Sequence, residues 1–157
     1  MHNRFRSRLA RGLEYDRLMR GNAWPAAKML KMVYDCEIEM SAMRNAAGCI
    51  YRHTYDYERP ELGESIYEYT ARYFNKTAAA AMASKWWWNE LKQNGVGPAN
   101  IITDELWNRP EMIGHYTQMA WETTYKLGCA VAHCPQTYVV CQYYPAYVYQ
   151  YFQIGFV

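Results

Sequence analysis

The sequence predicts an α/β fold, a small sheet accompanied by helices, and three observations predict it. Leu127–Val131 and Thr137–Tyr143 are short runs rich in β-branched and aromatic residues, which suit strands. They are separated by His133-Cys134-Pro135-Gln136, whose proline favours a turn. Gly114-His115-Tyr116-Thr117-Gln118-Met119-Ala120-Trp121 mixes the same half-buried residue types and reads as a third strand, with His115 fixed among packed neighbours.

The helices are read in chain order. His2 to about Met19 carries Phe5, Leu9 and Leu13 on one stripe and arginines on the other face, the pattern of an amphipathic helix. Trp24-Pro25 opens a second, because proline in the first turn forfeits no hydrogen bond. Met29, Val33, Cys36, Met40, Met43, Ala47 and Ile50 then step by four and three, which places them on one stripe expected to be core, a coiled-coil seam being the alternative. From Tyr51 to Gly63 the period breaks at Arg59-Pro60 and Gly63, giving a loop that carries His53 and leads to Glu64. Thr77 is expected to cap a third helix that ends at Asn94-Gly95, with Trp87 and Glu90 on a shared face. The end of the chain, from Tyr143 to Val157, is strongly aromatic.

Composition bounds the function. The 157 residues suit one domain, 1–157, able to bury roughly 70% of its unfolded surface. A net charge of +2 and the lack of a basic run with interleaved aromatics argue against nucleic acid as partner. The apolar stretches fall well short of the roughly 18 residues of a membrane span, and nothing at the start has the pattern of a signal peptide. Because a motif begins directly at His2, Met1 is expected to be an initiator or an added residue and a native leader to be trimmed. Asn75-Lys76-Thr77 is a glycosylation sequon.

There are five cysteines. On one helix, Cys36 and Cys49 would be about 20 Å apart, beyond the roughly 7 Å a disulfide tolerates, so each must look to Cys129, Cys134 or Cys141. Clustering of the last three on a hairpin favours a secreted scaffold over a reduced cytosolic one. A free Cys36 on a buried stripe would be inert.

Two imidazoles and two carboxylates stand out: His53, Glu64, Glu90 and His115. Together they suit zinc or, with more oxygen ligands, magnesium. Spacing alone does not gather them, and a polar network without metal explains the same residues. In a hydrolase, Glu64 or Glu90 would serve as base on a metal-bound water with His115 as proton shuttle. Ser65 lacks the Gly-x-Ser-x-Gly context of a nucleophile.

Gly114–Trp121 resembles the main signature of the CAP superfamily, the cysteine-rich secretory, antigen-five and pathogenesis-related proteins. Cys141-Gln142-Tyr143-Tyr144-Pro145 resembles its second signature, and His2-Asn3-Arg4-Phe5-Arg6-Ser7 and Gly63-Glu64-Ser65-Ile66-Tyr67 resemble two more motifs in the family's order. The run from Met119 to Val131 is most similar to the nematode secreted, venom-allergen-like branch. Two departures are Ser65, where the family typically has asparagine, and Pro145-Ala146-Tyr147-Val148 in place of Pro-Ala-Gly-Asn.

The resemblance implies a three-layer α/β/α sandwich: a small, mostly antiparallel central sheet with helices on both faces, stapled by disulfides Cys129–Cys141 and Cys49–Cys134, with Cys36 free. It implies a structural role for His2, and a central cleft in which His53, Glu64, Glu90 and His115 can hold a divalent cation, with Tyr116, Gln118 and Ser65 as wall residues. It further implies a secreted, extracellular, non-enzymatic effector or immunomodulator that binds a sterol, a fatty acid or a host protein. A metal-dependent hydrolase, protease or esterase, using the same cleft is the alternative, and a structural protein of a secreted coat is a third reading.

Overall fold

The computed structural model describes residues 1–147. Its helices are α1 (His2–Ala10), α2 (Cys36–Ala47), α3 (Lys76–Gln93), α4 (Asp104–Asn108) and α5 (Gly114–Ala120). Its strands are β1 (Tyr15–Asp16), β2 (Gly21–Asn22), β3 (Val33–Tyr34), β4 (Gly63–Tyr69), β5 (Lys126–His133) and β6 (Thr137–Tyr144). They form two compact units, each assembled from separate stretches of chain: residues 1–31 with 86–124 and Tyr147, and residues 32–85 with 125–146.

The second unit holds the sheet, ordered β3-β5-β6-β4. β6 pairs antiparallel with both β5 and β4, and only the two-residue β3 runs parallel to its neighbour. The expected β5–β6 hairpin is present, and Cys129 lies directly opposite Cys141, bridged to it with Cα atoms 4.1 Å apart. Cys49 joins Cys134 across 5.6 Å, and Cys36 is free. Strand β4 is not anticipated from the sequence, which marks a loop up to Gly63 and no element between it and α3.

Helix α2 starts twelve residues later than Trp24-Pro25 suggests. Its start is set by Asp35, whose carboxylate accepts from the backbone N–H of Glu37 and Ile38. The expected stripe is correct in period and wrong in face: Met40 and Met43 are 52% and 40% exposed, and Cys36 and Ala47 are exposed as well. The buried face is Ile38, Ser41, Ala42 and Ala46. Gly128 gives the reason, since a Cβ there would lie 2.1 Å from the Glu39 nitrogen: the helix backbone rests directly on β5. Only small side chains fit such an approach, and Ala42, Ala46 and Ala130 pack there with Ile66 and Val140.

In the first unit, α1 ends at Ala10 rather than near Met19. His2 is buried, and burial lowers its imidazole to about 3, so it is neutral. Arg6 is almost wholly buried, and burial lowers its guanidinium to about 10. Its donors reach the carbonyls of Leu30, Met119, Trp121, Glu122 and Thr124 at 2.7–3.4 Å. Asp16 plays the complementary part for backbone donors, accepting from the N–H of Leu18, Met19, Val96 and Gly97. Gly95, at φ +75°, ends α3 as expected, and a Cβ there would meet the Leu18 nitrogen at 2.5 Å. At the other end of α3 the expected Thr77 cap is replaced by Asn75, whose Oδ1 accepts from the Ala78 N–H.

The run carrying His115 is helix α5, not a strand. Tyr116, Thr117, Gln118, Met119 and Ala120 are all buried, so strand-favouring residue types are satisfied by tertiary packing in a helix instead. The carbonyls that a short helix leaves unpaired at its end are the ones Arg6 takes up, at Met119 and Trp121. Of the aromatic tail, Tyr143 is fully buried and Tyr147 packs against the rings of Trp107 and Trp121. Tyr149, Tyr151, Phe152 and Phe156 lie outside the described residues.

Candidate functional site

The four predicted residues form two His–Glu pairs, one in each unit. In the second unit the loop after α2 brings His53 to Glu64, the second residue of β4. His53 Nδ1 lies 3.0 Å from Glu64 Oε1, with the imidazole 53% exposed and the carboxylate 0%. Glu64 Oε1 also accepts from the Thr54 N–H at 2.9 Å. Its Oε2 accepts from Thr54 Oγ1 at 2.8 Å, Asn45 Nδ2 at 2.9 Å and Gln142 Nε2 at 2.8 Å. Burial raises the carboxyl, but the hydrogen bonds from His53, Asn45, Gln142 and Thr54 outweigh it and hold the group down to about 2. Glu64 is therefore an ionised acceptor, which makes the His53 nitrogen facing it the N–H and leaves Nε2 as the ring's acceptor.

In the first unit, His115 sits at the second position of α5 and Glu90 in the last turns of α3. His115 Nδ1 lies 2.6 Å from Glu90 Oε1, and Glu90 Oε2 accepts from the Tyr116 N–H at 2.9 Å. The imidazole is 20% exposed and stacks on Trp87, ring centroids 5.8 Å apart and planes 18° from parallel. The expected shared face of Trp87 and Glu90 is thus used to hold one histidine. In both pairs the carboxylate occupies Nδ1, and Nε2 makes no hydrogen bond among the described residues.

Among the described residues, no group of three or more His, Cys, Asp or Glu side chains is placed to hold a metal ion. The expectation that Glu64 is itself a ligand meets a physical obstacle, because both of its oxygens are taken by protein donors. The chemistry of each pair fits a different role for the acid: a carboxylate on Nδ1 that fixes the ring and raises the basicity of an Nε2 ligand.

The expected wall residues Tyr116, Gln118 and Ser65 are corrected to core positions. Each is at most 1% exposed. Gln118 donates from Nε2 to Thr124 Oγ1 and accepts at Oε1 from the Tyr147 N–H. Ser65 packs on fully buried Tyr143, whose phenol burial raises well above its usual range. A serine so enclosed cannot attack a substrate. Asn75 is exposed, as a glycan acceptor requires.

The sequence reading missed Asn45, Thr54 and Gln142, the donors that saturate Glu64. Only Gln142 left a signal: it is a lone polar residue between Cys141 and Tyr143 in a strand, and in the sheet it stands opposite Glu64. A hollow of roughly 170 Å³ beside His53 is lined by Arg44, Asn45, Arg52, Thr54 and Glu58. It is smaller than the ~300–1,000 Å³ usual for small-molecule sites.

The profile of the cysteine-rich secretory protein family (CAP) matches residues 1–144. The chain is 61% identical over 147 residues to Ancylostoma secreted protein from Ancylostoma caninum, covering 92% of this chain and 34% of that one. It is 37% identical to Allurin from Xenopus tropicalis, covering 85% of this chain and 65% of that one. The chain thus spans about a third of the first relative's length and just under two thirds of the second's. Among solved structures, Na-ASP-1 is similar at a TM-score of 0.96 and 57% identity, covering 99% of this chain and 39% of that one. NaASP2, crystallised with Zn2+, is similar at a TM-score of 0.94 and 44% identity, covering 99% and 80%.

Proposed function

The chain belongs to the cysteine-rich secretory protein (CAP) family, and from that premise we propose that it is an exported, single-domain (1–157), non-enzymatic binding protein that takes up zinc through His53 and His115. The observation that carries this reading is the state of Glu64. An acid held at about 2 by hydrogen bonds from four residues is a poor proton acceptor at neutral pH, so it suits orienting an imidazole far better than activating water. With Ser65 buried against Tyr143, a hydrolase would have no serine nucleophile and, at Glu64, no base.

Zinc prefers imidazole nitrogen, and the ion would supply a Lewis-acidic contact point for a bound partner. The zinc-bound state of the 44%-identical relative supports the choice of metal over magnesium. Export is supported by the two disulfides and by relatives named as secreted and venom proteins. The biological act is proposed to be recognition of a host protein, or of an apolar ligand such as a sterol or fatty acid.

Calorimetry with zinc on the purified chain tests the metal reading. Uptake falls in His53→Ala and in His115→Ala, while magnesium gives no heat. Zinc binding unchanged in both variants, or hydrolysis of a protein or ester substrate that depends on Glu64, would refute the proposal. Sterol or fatty-acid binding retained in both histidine variants would separate recognition from metal uptake.

A further inference from the structure

We propose that the outward face of α2 is a self-association surface on which the α2 of a second copy of this chain packs antiparallel. The face is apolar and periodic. Cys36, Met40, Met43 and Ala47 step by four, three and four, and all are exposed. At about 100° per residue it lies nearly opposite Ile38, Ser41, Ala42 and Ala46, which bury the helix on the sheet. α2 therefore has two apolar faces and, within this chain, one use for them. The three-and-four spacing is that of a helix–helix seam.

Charge identifies the occupant. Glu37 and Arg44 flank the stripe on the same edge, seven residues and so about 10 Å apart along the axis, too far to pair with each other. Among the described residues neither forms an ion pair. In an antiparallel pair with its two-fold axis near Met40 and Met43, Glu37 of each copy comes opposite Arg44 of the second, giving two symmetric opposite-charge pairs. In a parallel two-fold pair the two Glu37–Arg44 edges fall on opposite sides of the seam, so Glu37 faces Glu39 of the second copy and Arg44 meets no acid. On the other edge stands Glu39, near Tyr34, whose phenol is pushed up by burial and by that carboxylate. One helix of twelve residues offers less than the ~800 Å² per partner of a standard interface, so the dimer is a weak one.

Sedimentation equilibrium of the Cys36→Ser chain, its two disulfides intact, tests this from about 10 μM to about 1 mM, the range that resolves weak association. The weight-average mass rises from 18.6 kDa toward twice that value. Met43→Lys, at an exposed position that leaves the fold intact by circular dichroism, keeps the chain monomeric. Glu37→Arg and Arg44→Glu each weaken association about tenfold, and the double exchange restores it. A mass of 18.6 kDa throughout, a dimer indifferent to these charges, or one that forms only when Cys36 is present would overturn the proposal.

Discussion

The two His–Glu pairs use the same contact, Nδ1 to a carboxylate oxygen, in opposite settings. At His53 the acid is buried and the base is open: Glu64 accepts five hydrogen bonds while the imidazole is half in solvent. At His115 both partners are largely enclosed, the acid accepts two hydrogen bonds, and the ring gains a stacking partner in Trp87. The first pair is held by its carboxylate and the second by packing around its ring. Identical donor chemistry can thus rest on polar saturation in one place and on apolar contact in the other.

Removing the acids should break the comparison most sharply. Glu64→Ala leaves five donors without their acceptor, and a loss of about 3 kcal/mol is expected in urea denaturation. Glu90→Ala orphans two, for about 2 kcal/mol. Equal losses would mean that hydrogen-bond number does not distinguish the pairs.

Acid should single out the first pair next. Glu64 is lowered from 4.5 to about 2 in the folded chain, so its contribution is complete above pH 4.5 and disappears as pH falls toward 2. That contribution is on the order of 2–3 kcal/mol. Denaturation between these pH values, compared with Glu64→Gln, should show an acid-sensitive limb in the wild type that the variant lacks.

The rings should then reverse the order of the acids. His115→Ala removes a stacked, mostly enclosed imidazole and is expected to cost about 2 kcal/mol, whereas His53→Ala, half exposed, costs under about 1 kcal/mol by thermal unfolding. The smallest effect belongs to a single donor: Asn45→Ala removes one of Glu64's five bonds and costs about 0.5 kcal/mol by the same measurement.

How much of this is legible in the sequence depends on whether the signal is local. β5, β6 and the turn between them emerge from residue types and one proline, and the end of α3 from Gly95. The face of α2 does not, because the large side chains mark one stripe while Gly128, eighty residues away, admits only the small ones on the other. Strand-favouring residues in α5 mislead for the same reason, since buried neighbours decide their conformation. His53, Glu64, Glu90 and His115 are identified through family motifs; nothing in their spacing predicts that they pair. Asn45 and Thr54, which set the properties of Glu64, look like ordinary surface residues in the sequence.

Arg6 carries a consequence beyond its own hydrogen bonds. The carbonyl ends it gathers belong to the close of α5 and the turn after it, more than a hundred residues downstream. The segment bearing His115 is thus shaped by the opening turns of the chain. Excised as a peptide it would have no reason to coil, and loss of the chain's first turns would disarm an imidazole more than a hundred residues away.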